Sequence, residues 1–165
     1  NLQGSNLTKT FFASSDLRGA NLSETDCSGA KFNGTDLDGC NFKKATLRKM
    51  DFSNRDLRNV DFSEADLRRA DLRKSNLKKV NFFKADLRKT LFTESNLTGA
   101  YLSSTLLQDT DFQWANLSKA VLRYSLNLTA VQIQSAKIDR ETKVPHYLKI
   151  DWISETDFHC KENAV

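Results

Sequence analysis

The stretch ADLRRADLRK, residues 65–74, brings a leucine back every five positions and sets an alanine two residues ahead of each one. An amphipathic helix repeats at about 3.6 residues and a strand at two, so a strict period of five belongs to neither. Followed outward, the period runs from Leu2 to Leu122 as 25 consecutive units, whose central residue is Leu in 16, Phe in 8 and Cys27 in one. Two positions before the centre stands a small residue in most units, as at Ser5, Ala20, Ala30, Cys40, Ala65, Ala85, Ser95 and Ala120. The next position is usually Asp or Asn, and the two after the centre are polar, charged or glycine. Such a chain must turn at regular intervals, with the first and third residues of each unit pointing inward.

This pattern resembles the pentapeptide-repeat family, whose unit is A-(D/N)-L-x-x, and the match covers residues 1–122 without a break. The resemblance implies an all-β fold, a right-handed quadrilateral β-helix in which four units make one square coil and residues 20 apart stack. Sorting the centres by 20 supports this from the sequence itself. A first wall reads Leu2, Leu22, Phe42, Phe62, Phe82, Leu102, Leu122, and a second Leu7, Cys27, Leu47, Leu67, Leu87, Leu107. A third reads Phe12, Phe32, Phe52, Leu72, Phe92, Phe112, and a fourth is leucine throughout, from Leu17 to Leu117. Phenylalanine gathers on two opposite walls, as like-on-like stacking in a packed square interior selects.

Between Leu122 and Leu128 the phase slips by one residue. Leu128, Ile133 and Ile138 then continue at five, preceded by Leu126, Val131 and Ala136. This predicts a β-helix body over residues 1–138 of about seven coils, roughly 30–35 Å long. Residues 139–165 lose the period but keep Val144, Tyr147, Leu148, Ile150, Trp152, Ile153 and Phe158, and are expected to form a partly helical C-terminal cap. Thr142–Pro145 resembles the motif that often closes such repeats. All six glycines take the last position of a unit, where a type II turn needs positive φ. Type II turns are therefore expected mainly in the early coils and at Gly99, with other turn types where Lys or Arg holds that position.

Composition excludes several classes. The 165 residues are 39% hydrophobic and 28% charged with a single proline, which is globular rather than disordered. There is no basic-then-apolar leader and no run near the roughly 20 apolar residues of a bilayer span, which favours a cytoplasmic location. The chain opens inside a repeat unit, which points to a trimmed N-terminus. Cys27, Cys40 and Cys160 have neither disulfide nor zinc spacing, and the first two take inward positions as small core thiols. His146 and His159, both in the non-repetitive tail, read as ordinary residues, and no phosphate loop, nucleophile elbow or metal-spaced cluster is present. No catalytic residue, metal site or cofactor is expected, and the chain is read as a non-enzyme.

Three sets of residues depart from architecture. Arg55 takes an inward small-residue position between Thr35 and Ser75, where an unpaired guanidinium is costly. A local bulge with the side chain escaping to solvent or pairing with Asp56 is expected, the alternative being a ligand-facing arginine. Met50, Val60 and Val80 enlarge other inward corners. Second, outward positions in the C-terminal half are apolar: Phe83, Leu91, Tyr101, Leu106, Trp114, Val121 and Tyr124. Either the C-terminal segment folds back over them, or Phe83, Tyr101, Trp114, Val121 and Tyr124 form a patch for a partner or for a homodimer.

Third, residues 43–89 hold 15 Lys/Arg against 7 Asp/Glu, a local +8 in a chain of net +4. Arg48, Lys49, Arg68, Arg69, Arg88 and Lys89 should stack on the second wall, with Arg73 and Lys74 extending the positive surface. This ladder is either a solvated wall or a site for phosphate-rich or acidic partners; nucleic-acid binding there would be weak, salt-dependent and sequence-indifferent. The resemblance itself implies a rigid scaffold presenting flat faces to another protein. The family's best-understood members imitate acidic DNA and engage DNA gyrase, a role for which the basic middle is poorly suited.

Overall fold

The computed structural model of the chain describes residues 1–163. Each five-residue unit makes one short extended contact and one turn, and parallel pairing links residues 20 apart: Asn6 with Asp26, Asn21 with Asn41, Asp66 with Asp86, Leu106 with Leu126. Four such contacts close a square coil, so the ladders form four flat parallel sheets. Numbering coils by twenties puts residues 41–60 in the third coil and 101–120 in the sixth. The centres from Leu22 to Leu122 are buried. Phenylalanine rings stack along the axis, with centroids 5.5 Å apart for Phe62–Phe82 and 5.4 Å for Phe92–Phe112. Rings from the opposite walls also meet edge-on across the interior, 5.7 Å apart for Phe82–Phe92. Among the described residues no helix is long and apolar enough to cross a membrane.

The turns correct the expectation drawn from glycine. In most units the N–H of the small residue donates to the carbonyl of the preceding centre, as Ala70 does to Leu67 (2.9 Å). The residue before it has positive φ at every one of the 25 turns, six of them glycine and the rest side chains such as Lys49 (58°), Arg69 (61°) and Trp114 (57°). With positive φ confined to the third turn residue, this is the type II signature throughout. The left-handed backbone costs a non-glycine residue about 1–2 kcal/mol. That is small beside the interior packing and pairing that hold each turn in place, so neighbouring coils override local preference.

Asp and Asn ahead of the centre have a job from the first coil to the sixth: the side-chain oxygen accepts the N–H two residues on, as Asp26 does from Ser28 (2.9 Å) and Asn116 from Ser118 (3.0 Å). At three of the four inward corners polar side chains lean toward the preceding coil, whereas at the fourth Thr25, Thr105 and Ser125 donate within their own turn. Thr35 donates to the Phe12 carbonyl, Ser75 to Phe52, Thr90 to Leu67 and Thr110 to Leu87, all 23 residues back.

That lean explains the largest irregularity in the stack. The third coil carries Met50, Arg55 and Val60 at three consecutive small positions, above Ala30, Thr35 and Cys40. The two walls between these corners lack the pairings Lys31–Asp51 and Asp36–Asp56, while the ladders on both sides and the next coil up (Asp51–Asp71, Asp56–Asn76) are intact. The amides of Gly29, Phe32, Gly34, Leu37 and Gly39 make no backbone bond to the coil above, and those of Asp51 and Asp56 none to the coil below. Phe32 and Phe52 stand 6.0 Å apart and tilt by 28°, against 5.1 Å and 6° for Phe12–Phe32. Three oversized side chains leaning down together wedge the second and third coils apart along half their circumference. A cavity of about 110 Å³ opens there between residues 29–33 and 49–51.

Arg55 therefore neither escapes to solvent nor pairs with Asp56. Its guanidinium donates to the Phe32 carbonyl (2.7 Å) and to that of Thr35, taking the place of the hydroxyl used in other coils, and its own N–H turns to Ser75 Oγ (3.3 Å). Cys27 and Cys40 are buried free thiols, as read from their inward positions.

The closing coil departs from the square. Leu126 still pairs with Leu106, but the extra residue Asn127 takes positive φ and Leu128 drops into the interior. Helix α1, Ala130–Gln134, follows, with a capping box between Thr129 and Gln132. Gln132 Nε2 donates to the carbonyls of Leu107 (2.9 Å) and Thr110 (2.7 Å), sealing edge groups that another coil would have covered. Lys137 and Lys143 then pair with Asn116 and Val121. Downstream the expected helical character is absent. An antiparallel hairpin stands there instead, β1 Leu148–Trp152 against β2 Phe158–Glu162, anchored by Leu148 and Cys160. Alternating apolar residues at Leu148, Ile150 and Trp152 suit a strand's period of two. Tyr147 Oη ties the hairpin to the last coil by donating to the Ser125 carbonyl (2.9 Å).

Candidate binding walls

The basic ladder is assembled as a column, but its charges are not equivalent. Arg68 lies back on its own unit: its backbone N–H, Nε and Nη2 all reach Asp66, at 3.3, 2.8 and 2.8 Å. The same fork joins Arg18 to Asp16, Arg58 to Asp56, Arg73 to Asp71 and Arg88 to Asp86. Every D-L-R tripeptide in the sequence makes it, because the turn brings positions before and after the centre side by side. Arg48 has Thr46 where the others have Asp, and it reaches up to Asp66 of the next coil (2.5 Å). Arg68 leans likewise toward Asp86 (3.4 Å), so Arg48, Asp66, Arg68, Asp86 and Arg88 form one continuous zipper. Partial burial works to raise the Asp66 pKa, yet the bonds from Arg68 and Arg48 outweigh it and bring the carboxyl down to about 2. The hydrogen bond to Asp71 raises the Arg73 pKa.

The corner residues behave differently. Lys49 and Arg69 are exposed and make no ion pair among the described residues. Lys89 has only Asp109 at 3.9 Å, and Lys74, round the corner on the third wall, has Glu94 at 3.8 Å. A surface cavity of about 230 Å³ is lined by Arg48, Lys49, Arg68 and Arg69 and by nothing else. One coil separates the Lys49 and Arg69 corners; at about 5 Å two unit charges in water repel by about 0.8 kcal/mol. The sequence places Asp66 and Asp86 on the same units as Arg68 and Arg88, and the structure joins them as ion pairs. The Asp two residues ahead of Arg68, Arg73 and Arg88 answers each of them, and it is Lys49 and Arg69 that remain unneutralised.

The apolar set is brought together in part. Phe83, Tyr101, Val121 and Tyr124 share the first wall in coils five to seven, whereas Trp114 lies on the opposite wall, its N–H bonded to the Ser135 carbonyl. The C-terminal segment closes the end of the stack rather than covering this side. Phe83 is 41% exposed, Tyr101 53% and Tyr124 71%. A shallow cavity of about 440 Å³ runs between Lys79, Asn81, Phe83, Tyr101 and Ser103, with the Lys84 ammonium 5.2 Å from the Phe83 ring centre. Among the described residues, no group of three or more His, Cys, Asp or Glu could hold a metal ion.

Comparison with known proteins follows the repeat. The family model "Pentapeptide repeat region" matches residues 5–82, and "Pentapeptide repeats (8 copies)" matches residues 85–123. No curated protein matches the sequence. Solved structures similar to this chain include a pentapeptide repeat protein from the Arabidopsis thaliana thylakoid lumen (23% identity, 72% of this chain and 69% of that one, TM-score 0.43). A trypsin-treated form of QnrB1, a plasmid-mediated fluoroquinolone resistance protein, is 20% identical over 85% of this chain and 86% of its own, with a TM-score of 0.44. HetL, involved in heterocyst differentiation regulation in Nostoc sp. strain PCC 7120, is 24% identical over 87% and 74%, with a TM-score of 0.36. With two family models spanning the repeat and four ladders closing square coils, the chain belongs to the pentapeptide-repeat family and folds as its right-handed quadrilateral β-helix.

Proposed function

We propose that the protein is a non-enzymatic scaffold that docks a partner protein on the first wall, around Phe83, Tyr101 and Tyr124. The observation that carries this reading is the exposure of three aromatic side chains on one flat sheet that the C-terminal segment leaves open. Aromatic residues are enriched at the centres of protein interfaces, where they bury large area at low entropic cost. Lys79, Lys84 and Arg123 border the patch, so the partner surface it fits is apolar at its centre and acidic at its edge. DNA mimicry directed at gyrase is not adopted, because it needs a continuous acidic wall and residues 43–89 carry a net +8.

A photo-crosslinking residue placed at Tyr101, and for comparison at Lys78 on the fourth wall, tests the reading in the native cell. A discrete heterologous product is expected from position 101 alone, and Phe83→Ser should abolish it. The same products from both positions would refute the proposal. So would a crosslinked dimer of the chain itself, which would assign the wall to self-association.

A further inference from the structure

We infer that the second wall binds a linear, phosphate-bearing polyanion along the coil axis, with phosphates seated between Lys49 and Arg69 and between Arg69 and Lys89. The comparison that carries this lies within the molecule. All four walls repeat the same unit, so their outward columns show what the fold itself tolerates at each corner. On the first wall the corner column alternates in sign: Glu24, Lys44, Glu64, Lys84. On the third, Lys74 stands under Glu94, 3.8 Å away. On the fourth, the lysines are separated by glycine: Lys79, Gly99, Lys119. Only the second wall stacks cations in three successive coils, at the corner (Lys49, Arg69, Lys89) and again beside it (Arg48, Arg68, Arg88). Nothing in the coil demands this, since three neighbouring walls avoid it.

The two columns divide the work of holding an anion. Asp66 and Asp86 clamp the arginines flat against the wall, which cancels much of their charge and fixes their remaining N–H groups in place. Lys49 and Arg69 supply charge that no carboxylate answers, and with Arg48 and Arg68 they enclose the 230 Å³ cavity. A phosphate there removes the repulsion between stacked cations. Phe, Tyr and Trp are absent from the outward positions of this wall in coils three to five, so nothing stacks on a base. The ligand is recognised through its phosphates alone. The site lies on a different wall from Phe83 and Tyr101 and does not depend on the partner reading.

Anisotropy of a labelled oligothymidylate, with inorganic polyphosphate as competitor, tests this on the whole chain. Phosphate contacts from the three corner cations, Lys49, Arg69 and Lys89, predict a slope of log affinity against log salt near −2, so affinity should fall about 20-fold between roughly 50 and 200 mM salt. Polyphosphate should displace the oligonucleotide. In Lys49→Gln/Arg69→Gln the slope should shrink to about −0.7. Lys44→Gln/Lys79→Gln, the same charge loss on other walls, should leave it unchanged, and Lys49→Arg should keep wild-type binding. Thermal melts of each variant confirm that the fold is retained. Absence of binding at low salt, an unaltered slope in Lys49→Gln/Arg69→Gln, an equal loss in Lys44→Gln/Lys79→Gln, or failure of polyphosphate to compete would each overturn the inference.

Discussion

Replacing Arg55 by threonine should close the gap between the second and third coils and stabilise the protein. Threonine already stands one coil below, at Thr35, where its hydroxyl reaches the Phe12 carbonyl and the ladder is whole. A closed wall regains seven backbone bonds: five from Gly29, Phe32, Gly34, Leu37 and Gly39 upward, and two from Asp51 and Asp56 downward. At about 1 kcal/mol net apiece these are worth roughly 7 kcal/mol. Against them stand the two guanidinium bonds to Phe32 and Thr35, about 1.5–3 kcal/mol each. Both carbonyls are reoccupied on closure, by the new hydroxyl and by the Asp56 amide. The balance favours threonine by about 1–4 kcal/mol, or about 2–4 °C of melting temperature per kcal/mol at this size. Because stacked repeats open locally, native-state hydrogen exchange is the sharper assay. In the wild type, amides of residues 29–39 should exchange faster than their counterparts 40 residues on, and in the variant the two sets should converge. A variant that melts no higher, with residues 29–39 still exchanging fast, would show that Met50 and Val60 suffice to hold the coils apart and refute the role given to Arg55.

Three further outcomes follow from the packing and charge. Phe62→Ala, which removes a ring stacked at 5.6 Å on Phe42 and 5.5 Å on Phe82, should cost about 3–5 kcal/mol in urea unfolding. At the left-handed corner of Lys44 (φ 60°), glycine should stabilise by about 0.5–1 kcal/mol and valine should destabilise by about 1–2 kcal/mol, as read by thermal melts. The Asp66 carboxyl, at about 2 in the fold against roughly 3.9 when unfolded, contributes stability that is complete above about pH 4 and lost as pH falls through 2. Asp66→Asn should therefore lower the urea midpoint at pH 6 by the equivalent of roughly 2 kcal/mol, with the difference from wild type vanishing near pH 2.

The walls were legible because stacking in a square interior depends on residue type alone: Phe32 over Phe12 and Leu77 under Leu97 could be paired by counting. What escaped depended on several residues acting at once. Met50, Arg55 and Val60 each looked like a separate oversized corner, and the wedge exists only because all three lean down from one coil. Lys and Arg at the turns suggested other turn types, since the local cost was visible while the pairing that overrides it was not. The division of the ladder between paired arginines and unpaired corners depends on the turn, since Asp66 and Asp71 sit two residues from Arg68 and Arg73, a spacing that becomes contact only once the turn is built. The first-wall aromatics stayed open because the tail became a hairpin at the end of the stack, held there through a few side-chain contacts, Gln132 to Leu107 and Thr110 and Tyr147 to Ser125.

The forked Asp-Leu-Arg unit bears on how such a chain can lengthen. A gene that duplicates this unit four at a time adds one complete coil and keeps the interior stack in register; each forked arginine arrives with its own carboxylate, so the added charge is set by the corner residue, none with glycine as at Gly19 and one positive charge per copy with Arg69, Lys74 or Lys89 there. Duplicating Ala-Thr-Leu-Arg-Lys instead adds two positive charges per copy, so recombination within one gene offers two kinds of growth: one in which the arginines are self-neutralised and one in which every added wall gains an unanswered pair of cations.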